Sequence, residues 1–442
     1  MNAREAALTV LNAVTIDEAY ANIAVAKILR GGQILEKDRK LFVELVYGSV
    51  KALGTLDWMI DHFVDKKKKI EPIVKNILRL GYYQLFYLDR VPASAACNEA
   101  VNLAKEYSNS GAANFVNAVM RAAVRQPDKI VYPVPATHPV RYLALKYFHP
   151  VWLVKRWIDQ FGFDQTQQLC EFDNTKAPIS LRVNTLTTTI DVVNRQLIAD
   201  GYQVTLSKWS PDGLLVTGVD RLDGLRELQS GSVVVQDDSS QLVAYILNPQ
   251  PGEFVIDCCA APGGKTTHIA ALMQNSGRII ASDIFQHKID LIIHSAQSTG
   301  ATIIEPLLCD ARTIGEAFPR QADRVLVDAP CSGLGILRKK ADIRWKKNPL
   351  QFAELYSLQW QILVSAAQAV RVGGEIAYST CTTETAENEE IIERFLSEHR
   401  DFELLDAGSR MPYLKKPELM INMRPFIDNT DGFFIALLRR RN

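Results

Sequence analysis

Phe254-Val255-Ile256-Asp257-Cys258-Cys259-Ala260-Ala261-Pro262-Gly263-Gly264-Lys265-Thr266 decides the fold of this 442-residue chain. A short apolar run bounded by turn residues reads as a buried strand. The glycine turn and the apolar pattern from Thr266 to Met273 read as a tight loop opening a helix. Downstream the alternation continues: strands over 278–283, 302–308, 324–328 and 375–379, separated by helices over 285–299 and 350–370, with a last strand over 432–438. Strands that alternate with helices imply a largely parallel, Rossmann-like α/β sheet covered on both faces.

In an open α/β sheet, ligands bind at the carboxyl ends of the strands, and the chemistry-bearing residues fall there. Gly263 and Gly264 allow close backbone approach to a ligand after the first strand. Asp283 ends the second and can accept from ribose hydroxyls. Asp310 follows the third and can accept from an adenine amino group. Asp328 and Cys331 follow the fourth and Cys381 the fifth. Singly, an aspartate at a strand end is a cap or turn residue; a set at successive ends points to a nucleotide-like cofactor. Lys265-Thr266 suggests a Walker A loop, but that motif needs glycine where Cys259 stands. No G-x-G-x-x-G occurs, which argues against a dinucleotide.

Cys97, Cys170, Cys258 and Cys309 lie in apolar stripes or at a strand end and read as packing. Cys331 and Cys381 sit in polar loops, Asp328-Ala329-Pro330-Cys331-Ser332-Gly333 and Ser379-Thr380-Cys381-Thr382, where a thiolate can be stabilised. A thiolate that adds to C6 of a cytosine activates C5 toward an electrophilic methyl group. A second group must then handle a proton, and Asp328 can hold the N3/N4 edge of the base. The base must be unpaired or flipped to be reached. These residues alone leave the order of the two cysteines open.

The first 139 residues read as helical, with apolar stripes at 6–14, 41–50, 76–88 and 113–124. Pro127, Pro133, Pro135 and Pro139 mark a linker. Residues 140–235 read as a small α+β module and 236–442 as the catalytic domain. Net charge is zero, so nucleic-acid binding must rest on local patches. Arg338, Lys339, Lys340, Arg344, Lys346 and Lys347 around Trp345 form such a patch, with an aromatic ring for stacking. Lys66–Lys69 is a second basic run, read as a solvated loop. Seven scattered cysteines without CxxC or Cys/His ligand spacing argue against structural zinc and suit a reducing compartment. No apolar run approaches membrane-spanning length and no signal peptide is evident, so a cytoplasmic protein is expected; a monomer is expected as well.

DCCAAPGGKT, DAPCSGLG and STCT resemble motifs of the RNA cytosine-5 methyltransferases of the Nop2/Sun type. KDRKLFVELVYGSVK, ILRLGYYQL, NEAVNLAKEY and FVNAVMR, all in the helical third, are similar to NusB. The resemblance implies S-adenosylmethionine as methyl donor and a cytosine of 16S ribosomal RNA as substrate. It implies a cofactor pocket formed by Cys259, Ala260, Ala261, Pro262, Gly263, Gly264 and Lys265 with Asp283, Asp310 and Asp328. It implies Cys381 as nucleophile and Cys331 as the group assisting release. Two other readings remain at this point. An amino-group methyltransferase would carry D/N-P-P-Y/F where this chain has Asp328-Ala329-Pro330-Cys331. A non-catalytic assembly factor would have no use for two loop cysteines.

Overall fold

A computed structural model describes all residues except 66–68, 220, 221, 414, 416 and 442, and the side chain of Asp223. Three of the four lysines in the 66–69 run thus lie outside the described residues. The chain forms two compact units: Met1–Thr175 with Leu337–Lys346, and Lys176–Ile336 with Lys347–Asn442.

The first unit is helical: α1 Ala3–Thr15, α2 Ala21–Arg30, α3 Glu36–Lys51, α4 Leu53–Ile60, α5 Pro72–Tyr87, α6 Ala93–Tyr107, α7 Ser110–Arg125, α8 Pro139–Lys146 and α9 Val151–Phe172. Each predicted stripe became one buried helix face: Ala6, Leu8, Val10 and Leu11 of α1, and Phe42, Leu45, Val46 and Val50 of α3, are essentially inaccessible. Asn2 starts α1 with a capping box, its side chain accepting from Glu5 N–H while the Glu5 carboxylate accepts from Asn2 N–H.

Between Pro127 and His138 the proline-rich stretch is non-helical except for one short turn at Pro127–Lys129, but it does not end this unit. The helices after it, assigned from sequence to the small module, pack back onto the helical core. Thr55 Oγ1 on α4 donates to Leu145 O at 2.8 Å, and Phe148 meets the Tyr87 ring edge-on at 5.2 Å. Proline marks where a helix must stop, not where a core ends.

The second unit holds two sheets. β1 Ile179–Val183, β2 Gln203–Leu206, β3 Gly213–Thr217 and β4 Val233–Val235 form an antiparallel sheet in the order β2-β3-β1-β4. The larger sheet comprises β5 Phe254–Asp257, β6 Arg278–Asp283, β7 Ile304–Leu308, β8 Ala322–Asp328, β9 Val370–Thr380, β10 Phe402–Leu404, β11 Met420–Met423 and β12 Phe433–Arg440. Its order is β10-β12-β9-β8-β5-β6-β7, with β11 also paired to β12. β5 to β9 are mutually parallel and β12 runs antiparallel to β9, as a mostly parallel doubly covered sheet requires.

Polar bonds join the small sheet to helices Gly264–Leu272 and Gln286–Thr299, which flank the larger one. Buried Arg182 donates from Nη2 to Thr267 Oγ1 at 2.9 Å, and Asn184 Nδ2 donates to Thr299 O at 2.8 Å. The expected boundary near residue 235 therefore lies inside one compact unit. Among the described residues, no helix is long and apolar enough to cross a membrane.

Candidate active site

Strand β5 ends at Asp257, and the helix Gly264–Leu272 begins seven residues later. Gly263, at φ 107°, makes the turn; its N–H donates to Ala260 O at 2.7 Å. A Cβ there would lie 2.9 Å from Ser295 Cβ, so glycine is required by both conformation and space. Ser295 Oγ donates to Pro262 O at 2.6 Å and fixes the loop to the neighbouring helix. Asp257 is buried and accepts from Thr266 Oγ1 at 2.7 Å. Burial pushes its carboxyl up to about 7, and Asp328 adds to the shift. Burial, with Asp257, Asp328 and Asp283 nearby, also pushes the Cys259 thiol up.

Asp283 closes β6, with Oδ1 accepting from Phe285 N–H at 3.2 Å and Oδ2 paired with Lys288 Nζ at 3.3 Å. Ile284 and Phe285 beside it each expose about half their surface. Asp310 follows β7, with both oxygens bound by Arg312, which holds the carboxyl below its usual range. A glycine turn, carboxylates at successive strand ends and exposed apolar side chains next to Asp283 fit a nucleoside-bearing group. The two apolar residues were missed from sequence, although apolar side chains just past a strand end are a readable signal.

Asp328 ends β8 and joins the glycine loop to the cysteine loops. Its Oδ2 accepts from Lys265 Nζ at 2.7 Å and its Oδ1 from Ser379 Oγ at 2.8 Å. Burial lowers the Lys265 ammonium pKa, but Asp328 outweighs it and the net shift is upward. Because β8 and β9 are parallel neighbours with Asp328 opposite Ser379, the loops that follow them meet. Cys331 Sγ and Cys381 Sγ lie 3.2 Å apart. The hydrogen bond between them, followed by burial, holds the Cys331 thiol well above its usual range. Ser332 Oγ and Thr382 Oγ1 are 2.8 Å apart, and Gly335 N–H donates to Cys381 O at 3.0 Å. Cys97, Cys170 and Cys258 are buried, as their packing roles require, and all seven cysteines are free thiols.

The basic segment takes a different course. Of its seven predicted RNA-binding residues only Lys340 is exposed. Arg344 is fully buried in the helical unit, with Nη1 donating to Phe148 O at 2.8 Å. Trp345 Nε1 donates to Val50 O at 2.7 Å, and its ring lies so close to Gly54 that a Cβ there would be 2.6 Å away. Lys346 Nζ donates to Glu18 O and Ala19 O at 2.8 and 2.7 Å, and Arg338 stacks over Phe172 at 4.4 Å. Asp342 Oδ2 accepts from Ala21 N–H at 3.1 Å, capping α2, whose own N-cap Tyr20 has no capping side chain. Lys339 and Lys347 are partly buried. The expected exposed stacking surface is therefore corrected for Arg344 and Trp345. A tryptophan packed against the apolar core of the helical unit gains more from that contact than from water.

Three family descriptions match the chain: 16S rRNA methyltransferase RsmB/F over residues 244–439, the NusB family over 1–125, and an RsmF/B-like ferredoxin-like domain over 149–220. A probable ribosomal RNA small subunit methyltransferase B of Bacillus subtilis is 38% identical over 99% of this chain and 98% of its own length. A protein of the same description from Synechocystis is 36% identical over the whole of both chains. Among solved structures, that of PH0851 superposes with TM-score 0.84 at 28% identity, covering 99% of each chain. A methyltransferase homolog protein from Pyrococcus horikoshii superposes with TM-score 0.59 at 27% identity, covering 68% of this chain and 99% of its own. By identity over its full length, the chain belongs to the ribosomal RNA small subunit methyltransferase B family.

Proposed function

We propose that the chain methylates C5 of an unpaired or flipped cytosine in 16S rRNA through a covalent bond between Cys381 and C6 of the base. The observation that carries this reading is the 3.2 Å separation of Cys331 and Cys381 at the ends of adjacent parallel strands. The relatives' description, ribosomal RNA small subunit methyltransferase B, supports the substrate class.

S-adenosylmethionine, when bound, supplies the electrophilic methyl group. The loop Cys259–Lys265 with Asp283 and Asp310 would hold it. Cys381 Sγ attacks C6, forming the S–C6 bond and moving an electron pair toward C5. Asp328, anchored by Lys265 and Ser379, accepts from the amino edge of the base and orients it. After methylation Cys331, whose Sγ is 3.2 Å from Cys381 Sγ, gives its proton to the departing sulfur and takes the C5 proton in exchange. The C5–H electron pair restores the C5–C6 double bond, the S–C6 pair stays on Cys381, and Cys331 ends as the thiol it began as.

Denaturing electrophoresis with labelled RNA tests the assignment. Cys331→Ala should accumulate a slow-migrating protein–RNA adduct; Cys381→Ala should form neither adduct nor 5-methylcytosine. The reverse pattern would make Cys331 the nucleophile. No adduct from either variant would remove the covalent mechanism.

A further inference from the structure

Neighbouring residues on one short segment brace the two cysteine loops separately. After Cys381 the chain makes a 3-10 turn at Thr385–Glu387 and enters the helix Glu389–Glu398. Glu387 is fully buried. Its Oε2 accepts from the backbone N–H of Ser332, next to Cys331, at 2.8 Å and from Gln359 Nε2 at 2.8 Å. Gln359 Nε2 also donates to Pro330 O, on the other side of Cys331, at 2.9 Å. Tyr378 OH fixes the glutamate's own backbone by donating to Glu387 O at 2.8 Å. The pair Glu387–Gln359 thus grips the Cys331 loop on both flanks.

Asn388, also buried, grips the other loop. Its Oδ1 accepts from Thr380 Oγ1 at 2.6 Å and its Nδ2 donates to Thr382 O at 3.1 Å. Thr380 and Thr382 are the two neighbours of Cys381. Neither Glu387 nor Asn388 is bonded to a cysteine sulfur in these interactions.

We propose that Glu387 and Asn388 are positioning residues with divided roles, Glu387 setting Cys331 for release and Asn388 setting Cys381 for attack. This rests on the two-cysteine reading above. Attack makes the S–C6 bond and needs the Cys381 loop in place; release breaks it and needs the Cys331 loop. A buried carboxylate that accepts two hydrogen bonds is a strong local restraint, because its removal leaves buried donors unpaired. Glu387 Oε1 has no hydrogen-bond partner. A glutamine at 387 can turn its NH2 to that side and keep its carbonyl oxygen on Ser332 and Gln359, so Glu387→Gln removes the charge and keeps the grip, leaving only its own NH2 unpaired.

The test uses the full-length protein with labelled rRNA and S-adenosylmethionine, reading initial methyl transfer and the covalent band together. Cys331→Ala and Cys381→Ala serve as references. Glu387→Ala should accumulate adduct as Cys331→Ala does, with turnover falling about a hundredfold, the loss that a 1 Å misplacement brings. Asn388→Ala should lose initial transfer by a similar factor and show no band. Glu387→Gln should clear the adduct to within a few-fold of wild type. Both alanine variants should bind the methyl donor with wild-type affinity, which establishes that they are folded. If Glu387→Ala fails that check, Gln359→Leu replaces it and should also accumulate adduct. Identical behaviour of the 387 and 388 variants overturns the division. A Glu387→Gln as defective as Glu387→Ala overturns positioning in favour of the carboxylate's charge. If the cysteine references follow expectation and the 387 and 388 variants do not, the division fails alone. If the references do not, the two-cysteine reading falls and takes the division with it.

Discussion

Residues 328–336 and 337–346 are consecutive in sequence, yet they serve different cores. The first stretch ends a central strand and meets the Cys381 loop within the catalytic unit. The second belongs to the helical unit, burying Leu337, Ala341, Ile343 and Arg344 there and closing an N-terminal helix through Asp342. Local sequence described the first well, because glycine, proline and a strand-end aspartate dictate backbone shape over a few residues. It described the second poorly, because clustered arginines and lysines look alike whether solvated or packed. The helical unit is therefore built from two stretches of chain, Met1–Thr175 and Leu337–Lys346.

Deleting the helical residues should give the largest effect. A protein beginning at Lys176 retains residues 337–346 without the surface that buries them, exposing Leu337, Ile343 and Trp345. It should bind a hydrophobic dye, be cut within 337–346 by limited proteolysis, and lose methyl transfer. A truncated protein that stays active, with this segment protected, would break the comparison. Trp345→Ala in the full-length protein should destabilise the helical unit, by less than the roughly 3–5 kcal/mol of a fully buried tryptophan because the ring is only partly buried. Hydrogen exchange in α3 and α4 reads this, and unchanged protection there would mean that Trp345 is a surface residue after all.

The catalytic side should respond differently. Asp283→Ala should weaken S-adenosylmethionine binding by about 1.5–3 kcal/mol, the range for hydrogen bonds to a charged group, while leaving exchange in the helical unit unchanged. Calorimetry showing equal affinity would remove Asp283 from the cofactor site. Lys340→Ala should be the mildest change. As the exposed member of the basic segment, it should weaken RNA binding slightly and lower the salt slope by about one if it contacts a phosphate. An unaltered slope would strip the segment of its last direct RNA role.

The apolar stripes of α1, α3, α5 and α7, the strand–loop–helix at β5 and the alternation after it were all legible, since periodicity and glycine placement act locally. The two loop cysteines stood out for the same reason. Two features were not legible. The helices after the proline stretch returned to the first core because their apolar faces fit it, and a linker's composition carries no information about where its far end packs. Gln359, Glu387 and Asn388, which hold the cysteine loops, are ordinary polar residues in sequence; only burial beside unpaired backbone groups gives them their roles.

Residue order along the chain fixed that a parallel sheet would carry a glycine turn, aspartates and two thiols at its strand ends, because strand placement and loop conformation are short-range properties. That the two sulfurs approach to 3.2 Å, and that Trp345 joins the helical core rather than the loop it follows, came from packing between distant parts of the chain. Both depend on which surfaces meet, and that is settled by the burial of groups distant in the chain.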